Sequence, residues 1–207
     1  MYSYKKKGKK NIAPTNAWIA VINKAEYLFD KYEGDEYVCF DCETTGLDPK
    51  KDEIISIGAI IIKGNKILHS RKFERFAKTT QALNAESIKI HHIRECDIEN
   101  ARNIDEVIDE FLEFVGNRPL VGYYLEFDCA MINRYIKPKY GITLPNNQTE
   151  VSEVYFDKQI KHNPGANIDL RFDIIMERLN LPRLGKHDAI NDVIMTAMIF
   201  LKLKNMR

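Results

Sequence analysis

Long apolar runs are absent from this 207-residue chain, although 44% of its residues are hydrophobic. A membrane-spanning helix needs about 18 or more consecutive apolar residues. The charged start MYSYKKKGKK also has no apolar segment behind it of the kind that a secretory signal needs. The sequence therefore predicts a cytoplasmic protein with no membrane partner, long enough for one domain with a full core and some additional sequence.

Cysteine is scarce, and its four positions, Cys39, Cys42, Cys96 and Cys129, are scattered along the chain. Cys39 and Cys42 form a C-x-x-C pair, but they lie inside a strand-like run and no second pair accompanies them. This isolation argues against zinc or redox chemistry. We interpret the cysteines as buried free thiols.

Net charge is also small, at +1, and no internal repeat is visible. A balanced total neither indicates nor excludes a nucleic-acid partner, because it hides local patches. The one local excess is the lysine-rich start, about residues 1–12, after which apolar residues recur at helical spacing from Trp18 to Leu28. We predict a tail and helix over residues 1–35 and a separate domain over residues 36–207. The lysines are interpreted either as a tether for nucleic acid or as a solubilising tail.

The pattern of apolar residues predicts strands first, and then alternating helices and strands. YVCF, DEIISIGAIII and KILHSRKFERF are typical of strands, and KGNK supplies a hairpin turn between the last two. The amphipathic helix IDEVIDEFLEFV, which Gly116 ends, precedes a short buried strand in RPLVGYY. Further helices are predicted in FDCAMINRYI, ending before Pro138, in IDLRFDIIMERLN and in HDAINDVIMTAMIFLKL. This order predicts an α/β fold in which helices cover a mixed sheet.

Two carboxylates, Asp41 and Glu43, end the apolar run in VCFDCETTGLD. Residues two apart on a strand project from the same face, so the two acids point together while Cys42 points away. Like charges this close raise a pKa unless a positive group neutralises them, and divalent cations with oxygen ligands do so. A solvated strand edge that carries two exposed acids is the alternative interpretation.

Three further residues strengthen the metal hypothesis. Asp128 stands where the strand in LVGYYLEF passes into a helix, and Asp192 lies in a helix rich in core residues. His187 precedes Asp192 at the predicted start of that helix, near enough for both to border one site. Taken singly, Asp128 is equally suited to capping its helix, Asp192 to an exposed position, and His187 to a surface or capping role.

The ordered motifs FDCETTGLD, DEIISIGAIII, SIKIHHI, VGYYLEFDCAMI and HDAINDVIMTAMIF resemble those of the DEDD exonucleases of the histidine-containing subclass. The likeness covers about residues 36–204 and is strongest to the proofreading exonuclease subunits of bacterial DNA polymerase III. It implies a ribonuclease H-like fold, with helices on both faces of a mixed sheet. It also implies action on the 3′ ends of nucleic acid, with a polymerase as one candidate partner.

By this resemblance Asp41, Glu43, Asp128 and Asp192 are metal-binding catalytic acids, and His187 is the general base. Phosphodiester hydrolysis brings an anionic nucleophile to an anionic phosphate, and two cations offset that repulsion. Hard oxygen ligands favour Mg²⁺ or Mn²⁺ over zinc. A neutral histidine is suited to accept the proton of the attacking water near neutral pH.

The same resemblance suggests substrate contacts. Thr44 and Leu47 match a backbone contact and an apolar wedge against the terminal base, His91 matches a substrate-contacting histidine, and Phe127 is placed to stack on a base. The alternatives are a loop cap, a core leucine, a surface histidine and core packing, respectively. The chain departs from the family at Tyr123 and Tyr124, where His-Asn is usual, and at His92, where glycine is frequent.

Three functions are consistent with the sequence. The first is a 3′-5′ exonuclease that acts on DNA ends, with single-stranded DNA favoured, in proofreading or repair. The second is the same hydrolysis of RNA ends, which tolerance of a terminal 2′-OH would distinguish. The third is a non-catalytic nucleic-acid-binding module, against which the complete set of acids and His187 argue. The short sequence after the last helix favours a stand-alone enzyme, or one tethered to its polymerase by other means.

Overall fold

Helices and strands of a mixed α/β fold occupy most of the chain from Glu36 onward. The computed structural model describes residues 25–83, 88–89, 91–185 and 188–206. The strands are β1 Glu36–Thr44, β2 Ile54–Lys63, β3 Lys66–Phe76, β4 Leu120–Gly122 and β5 Gln148–Glu150. The α-helices are α1 Glu95–Ile98, α2 Ile104–Val115, α3 Leu125–Tyr140, α4 Val151–His162, α5 Phe172–Arg178 and α6 Ala189–Asn205. A short 3-10 helix, Glu26–Phe29, precedes β1.

In the described part of the chain, the strands form one sheet in the order β3-β2-β1-β4-β5. The first three strands are antiparallel neighbours, whereas β4 pairs parallel with β1 and with β5. Gly64, in the turn between β2 and β3, has a φ of +56°, a left-handed conformation that glycine adopts without steric cost. The central position of β1 decides where its acids lie, because the carboxyl ends of β1 and β4 meet at one edge.

Alternation along β1 divides the core into two layers, one on each face of the sheet. Val38, Phe40 and Cys42 are buried in a cluster that includes residues of α2 and α3. Cys39, with the opposite orientation, is buried in a cluster built from α4, α5 and α6. Helices therefore cover both faces, which confirms the predicted fold class.

Several sequence predictions need correction. The helix expected to end before Pro138 continues to Tyr140 and is capped by Gly141, whose N–H donates to the Lys137 carbonyl. A proline in the last turn removes only one backbone hydrogen bond, so it does not end the helix. Cys96 is exposed, although Cys39, Cys42 and Cys129 are buried free thiols as predicted.

Other sequence predictions were incomplete. β5 and α4 were not predicted, because β5 is only three residues long and the stretch that leads to it is polar. The predicted N-terminal helix lies mostly outside the described residues, as does the lysine tail. Within the described ranges, no helix has both the length and the apolar character needed to cross a bilayer.

Candidate active site

Asp41 and Glu43 lie on the same face of the central strand β1, as their spacing predicts. Asp41 pairs with Gly58 of β2, and Glu43 pairs with Ser56. Glu43 is only 9% exposed. The alternative of a solvated strand edge is therefore wrong, because β1 has neighbours on both sides and Glu43 is buried.

Asp128 reaches the same strand from the first turn of α3. Its carboxylate accepts a hydrogen bond from the backbone N–H of Cys42, at 3.0 Å, between the two strand acids. It is 4% exposed and lies inside the helix, whose N-cap is Tyr124. The capping interpretation of Asp128 is therefore wrong, and the residue joins the start of α3 to the end of β1.

Asp192 reaches the site from α6, which begins close against the sheet. A Cβ atom added to Gly58 would lie 2.7 Å from the Ala189 carbonyl carbon, so only glycine allows the helix start to come this near β2. Asp188 caps the helix and accepts from the N–H groups of Ile190 and Asn191. Asp192 is half-buried and lies beside Asp41 and Glu43, so the interpretation as an exposed helical acid is wrong. Carboxylate oxygens of Asp41, Glu43 and Asp192 lie within 4.8 Å of one another.

The electrostatics of the cluster favour neutralisation. Burial, with the charges of Asp128, Glu43 and Asp192, raises the pKa of Asp41 well above its usual value. Burial, with Asp192 and Asp188, raises the pKa of Glu43 to about 7. Burial also raises the pKa of Asp128, despite its bond from Cys42. Clustered carboxylate oxygens whose negative charges repel one another fit a divalent cation, which would offset the repulsion.

His187 was predicted to belong to the site, and its neighbour Asp188 was not. His187 lies outside the described residues, so its role as a base stays a prediction. Asp188, its neighbour in the chain, was missed by the sequence analysis. An aspartate before an apolar helix is a capping signal that could have marked it, although its effect on the pKa of Glu43 depends on tertiary packing.

The loop after β1 presents Leu47 to solvent. Leu47 is 85% exposed, so the interpretation as a core leucine is wrong. The Thr44 hydroxyl donates to the Gly46 carbonyl at 2.7 Å, which is the loop-capping role. On the far side of the loop, the Asp52 carboxylate accepts a hydrogen bond from the Asp48 N–H at 2.8 Å. These bonds hold an apolar side chain exposed beside the acids.

His91 is 3% exposed, so the surface interpretation of this histidine is wrong. Its Nδ1 accepts from the Ile93 N–H at 3.0 Å, which leaves Nε2 as the protonated nitrogen of the neutral ring. It borders a cleft with Ser56, Asp188 and other residues of β2, β3 and the start of α6. The adjacent His92 has a φ of 58°, a left-handed conformation. This explains why glycine suits this position in the family whose motifs the sequence resembles.

Phe127 and the two tyrosines lie where β4 ends and α3 begins. Phe127 is half-buried against the core, in agreement with the packing interpretation. Tyr123 turns inward, and its hydroxyl donates to the Leu170 carbonyl at 3.1 Å. It lines a cavity of about 300 Å³ together with Asp41, Asp192 and residues of α5. The cavity therefore continues the acidic cluster toward α5, a connection that the sequence analysis missed.

Carboxylates clustered at the end of a central strand, within a mixed sheet covered on both faces, are typical of the metal-dependent hydrolases that cleave phosphodiester bonds. The chain belongs to the RNase T family of exonucleases, which matches over residues 38–200. The family predicted from the motifs is therefore confirmed.

Curated relatives include PolC-type DNA polymerase III enzymes. The enzyme of Thermotoga petrophila is 30% identical over 175 residues, which are 84% of this chain and 12% of that protein. The enzyme of Caldanaerobacter subterraneus subsp. tengcongensis is 34% identical over 168 residues, 81% of this chain and 11% of that protein. The chain thus spans only a small part of these relatives.

Solved structures share the fold at low sequence identity. The cell-death related nuclease CRN-4 superposes with a TM-score of 0.72 at 19% identity, covering 84% of this chain and 64% of that one. E. coli Exonuclease I in complex with a dT13 oligonucleotide gives 0.70 at 15% identity, covering 83% and 41%. Exonuclease X in complex with duplex DNA gives 0.63 at 19% identity, covering 82% and 91%. These likenesses confirm the ribonuclease H-like fold.

Proposed function

We propose that this chain is a metal-dependent 3′-5′ exonuclease that releases nucleoside monophosphates from DNA ends. The observation that carries the proposal is the cluster of Asp41, Glu43 and Asp192 on one face of the sheet, with Asp128 buried against the same strand. Burial and mutual repulsion raise the pKa values of Asp41 and Glu43, which favours cation binding over a structural role. A non-catalytic module would have no physical reason to retain such a costly arrangement.

The four carboxylates would hold two divalent cations, for which Mg²⁺ and Mn²⁺ are the best matches to oxygen ligands. When bound, the cations would lower the pKa of water and offset negative charge on the phosphate and leaving oxygen. The Cys42 N–H holds the Asp128 carboxylate, so this acid keeps its orientation. The Asp188 cap holds the first turn of α6, and with it Asp192.

His187 is the proposed general base, on the family resemblance. Tyr123 is a poor substitute, because its hydroxyl already donates to the Leu170 carbonyl and burial raises its pKa. His187→Ala should lower kcat by about 100- to 10,000-fold and remove the rise of kcat with pH that a neutral imidazole causes. Steady-state kinetics over a range of pH in saturating Mn²⁺ test this. An unchanged kcat and pH profile would show that another group is the base.

Thr44, Leu47, His91 and Phe127 are proposed to contact the substrate, with Leu47 against the terminal base. The 85% exposure of Leu47 supports a wedge against the terminal base, and the buried ring of His91 supports a fixed contact. Replacement of these residues should therefore raise KM more than it lowers kcat.

Single-stranded DNA is the proposed substrate. The polymerase III relatives favour DNA over RNA and suggest a polymerase as a partner. A cytoplasmic location, with no membrane partner, and the division into residues 1–35 and 36–207 stay predictions.

Hydrolysis of matched oligonucleotides tests the proposal. Single-stranded DNA and RNA of one sequence, labelled at the 5′ end, should be compared in Mg²⁺, in Mn²⁺ and in EDTA. We expect a ladder of products shortened from the 3′ end, faster for DNA and absent in EDTA. Asp41→Asn should abolish the ladder, whereas Asp157→Asn, at an exposed position of α4, should leave it unchanged. Faster hydrolysis of RNA would favour an exoribonuclease, and hydrolysis of neither substrate would contradict the proposal.

A further inference from the structure

Two large apolar side chains stand out by their exposure. Among the described residues, Leu47 at 85% and Tyr124 at 70% are the most exposed large hydrophobic side chains. Leaving a large apolar surface in water forgoes burial energy, and such surfaces often mark binding sites. Leu47 follows the end of β1, and Tyr124 follows the end of β4. Because these strands are parallel neighbours, both side chains leave the sheet at the edge that carries the acidic cluster.

The backbone at Tyr124 is held in an orientation that turns its ring outward. Tyr124 has a φ of 59°, in the left-handed region that a bulky residue seldom adopts. Its carbonyl accepts from the Phe127 N–H at 3.0 Å, and the next N–H, of Leu125, donates to Glu150 at 2.8 Å. The preceding Tyr123 packs inward against Phe172, with ring centroids 4.9 Å apart. Consecutive aromatic residues thus separate, one toward the core and one toward solvent.

Phe127 supports the exposed ring. The two ring centroids are 6.2 Å apart and the planes differ by 23°, which is an offset stacked arrangement. Phe127 itself packs against the core and immediately precedes the buried Asp128. Tyr124 is therefore an aromatic surface of fixed orientation, attached to the helix turn that carries one of the candidate metal ligands.

Tyr124 and the cleft beside His91 lie on different sides of β1. The cleft beside His91 is lined by Ser56 of β2 and Phe76 of β3, whereas Tyr124 follows β4 on the far side of β1. If the terminal nucleotide occupies the cleft at His91, the strand on the 5′ side of the scissile phosphate passes the acids toward β4. We propose that Tyr124 stacks on a nucleobase on the 5′ side of the scissile phosphate, an inference that rests on the proposed function. An aromatic surface accepts any base, since every base has a π face.

Position-specific removal of bases tests this inference. Substrates are single-stranded oligodeoxynucleotides with all bases present, or with one abasic nucleotide at the terminal, penultimate or third position from the 3′ end. On the complete substrate, Tyr124→Ala should lower kcat/KM by about 5- to 150-fold, the usual effect of removing one stacking partner. Tyr124→Phe should retain most of the activity. One abasic substrate, lacking either the penultimate or the third base, should remove the difference. On it, the kcat/KM values of wild type and Tyr124→Ala should agree within about twofold, because the stacking contact is already lost.

Phe29→Ala is the matched control. Phe29 is 58% exposed, and it borders a pocket beside Asn117 and Pro119, which precede β4 at the opposite edge of the sheet. This substitution should leave kcat/KM unchanged. The inference is wrong if Tyr124→Ala has no effect, if its effect is the same on every substrate, or if the effect disappears only with the terminal base. A wild-type chain that hydrolyses no substrate overturns the proposed function as well, whereas an active wild type that Tyr124→Ala leaves unaffected overturns this inference alone.

Discussion

The carboxylates of the candidate site destabilise one another while their site holds no cation. Glu43 is nearly covered, and its pKa of about 7 results from burial and from the charges of Asp192 and Asp188. Asp41 is subject to the same effects from three acids. The residues that would carry catalysis therefore oppose folding, as is common where binding groups are assembled before their ligand is present.

Asp41→Asn separates the role of this acid in catalysis from its effect on folding stability. The substitution removes one negative charge, so the free energy of unfolding of the cation-free protein should rise or stay unchanged, while hydrolysis falls to background. Urea denaturation in EDTA and turnover in saturating Mg²⁺ measure the two quantities. Turnover like that of wild type would contradict the metal-binding role of Asp41. A large loss of stability would instead indicate that Asp41 has a structural role.

The pH dependence of cation-free stability follows from Glu43. Its folded pKa of about 7 exceeds its ordinary value of 4.5, so between these pH values the folded state binds more protons than the unfolded state. The contribution of this group to the free energy of unfolding should therefore fall by about 2–3 kcal/mol as pH rises from 5 to 8. Denaturation in EDTA at both pH values measures it, and Glu43→Gln is the control that should remove this contribution. Mg²⁺ at pH 8 should restore stability, because a cation that binds only the folded state favours it.

At the scale of elements, the start of α6 brings together groups that lie far apart in the sequence. Asp188 and Asp192 belong to this helix, whereas Asp41 and Glu43 belong to β1. The distance between helix and sheet depends on Gly58, where backbone atoms approach each other without an intervening side chain. The relative position of the candidate acids is therefore a consequence of how one helix packs on one strand.

Gly58→Ala should displace α6. The added Cβ would lie 2.7 Å from the Ala189 carbonyl carbon, and backbone atoms yield less readily than a flexible side chain. We expect the free energy of unfolding to fall by about 1–3 kcal/mol and kcat to fall by about 10- to 100-fold, because small misplacements of reacting groups are costly. Gly165→Ala is the control, since no atom of the described residues beyond its chain neighbours lies within 4 Å of its added Cβ. An unchanged kcat in Gly58→Ala would show that the helix position does not control catalysis.

At the scale of the whole molecule, the two ends of β1 differ in their electrostatics. Glu36, at the start of the strand, bonds to Arg71 of β3 and to Arg118, which precedes β4. Lys63 at the end of β2 lies 3.5 Å from the same carboxylate. The hydrogen bonds from Arg71 and Arg118 lower the pKa of Glu36 to about 2. One end of the strand thus holds a carboxylate stabilised by cationic side chains, and the other holds carboxylates whose pKa values are raised by burial and by one another's charges.

Glu36→Gln should reduce stability near neutral pH. Its folded pKa of about 2 lies below the ordinary 4.5, so its contribution is complete above pH 4.5 and is lost as pH falls toward 2. We expect the substitution to lower the free energy of unfolding by about 1–2 kcal/mol at pH 7, after allowance for partial exposure, and by progressively less below pH 4.5. Denaturation at several pH values measures the difference. Glu33→Gln, at an exposed ion pair with Lys31, is the control and should have a much smaller effect.

The sequence by itself determined β1 to β4 and the helices α2, α3, α5 and α6 in their order, though not α1, β5 or α4, and the common face of Asp41 and Glu43. These features follow from local periodicity, because a spacing of two on a strand fixes the side on which a residue lies. The family and the four metal-binding candidates also followed from the order of motifs. The predicted end of α3 at Pro138 failed, since the cost of a proline depends on its place in the helix and on a cap such as Gly141.

Only the tertiary structure decided which residues are buried and which charges are neighbours. A core leucine at Leu47 and a surface histidine at His91 were open alternatives in the sequence, and the burial in the structure excludes both. The pKa of Glu43 depends on Asp188 and Asp192, which lie far from it in the sequence and approach it because α6 packs against Gly58. Burial and Coulomb interactions depend on distances in space, and no local pattern of residues contains those distances.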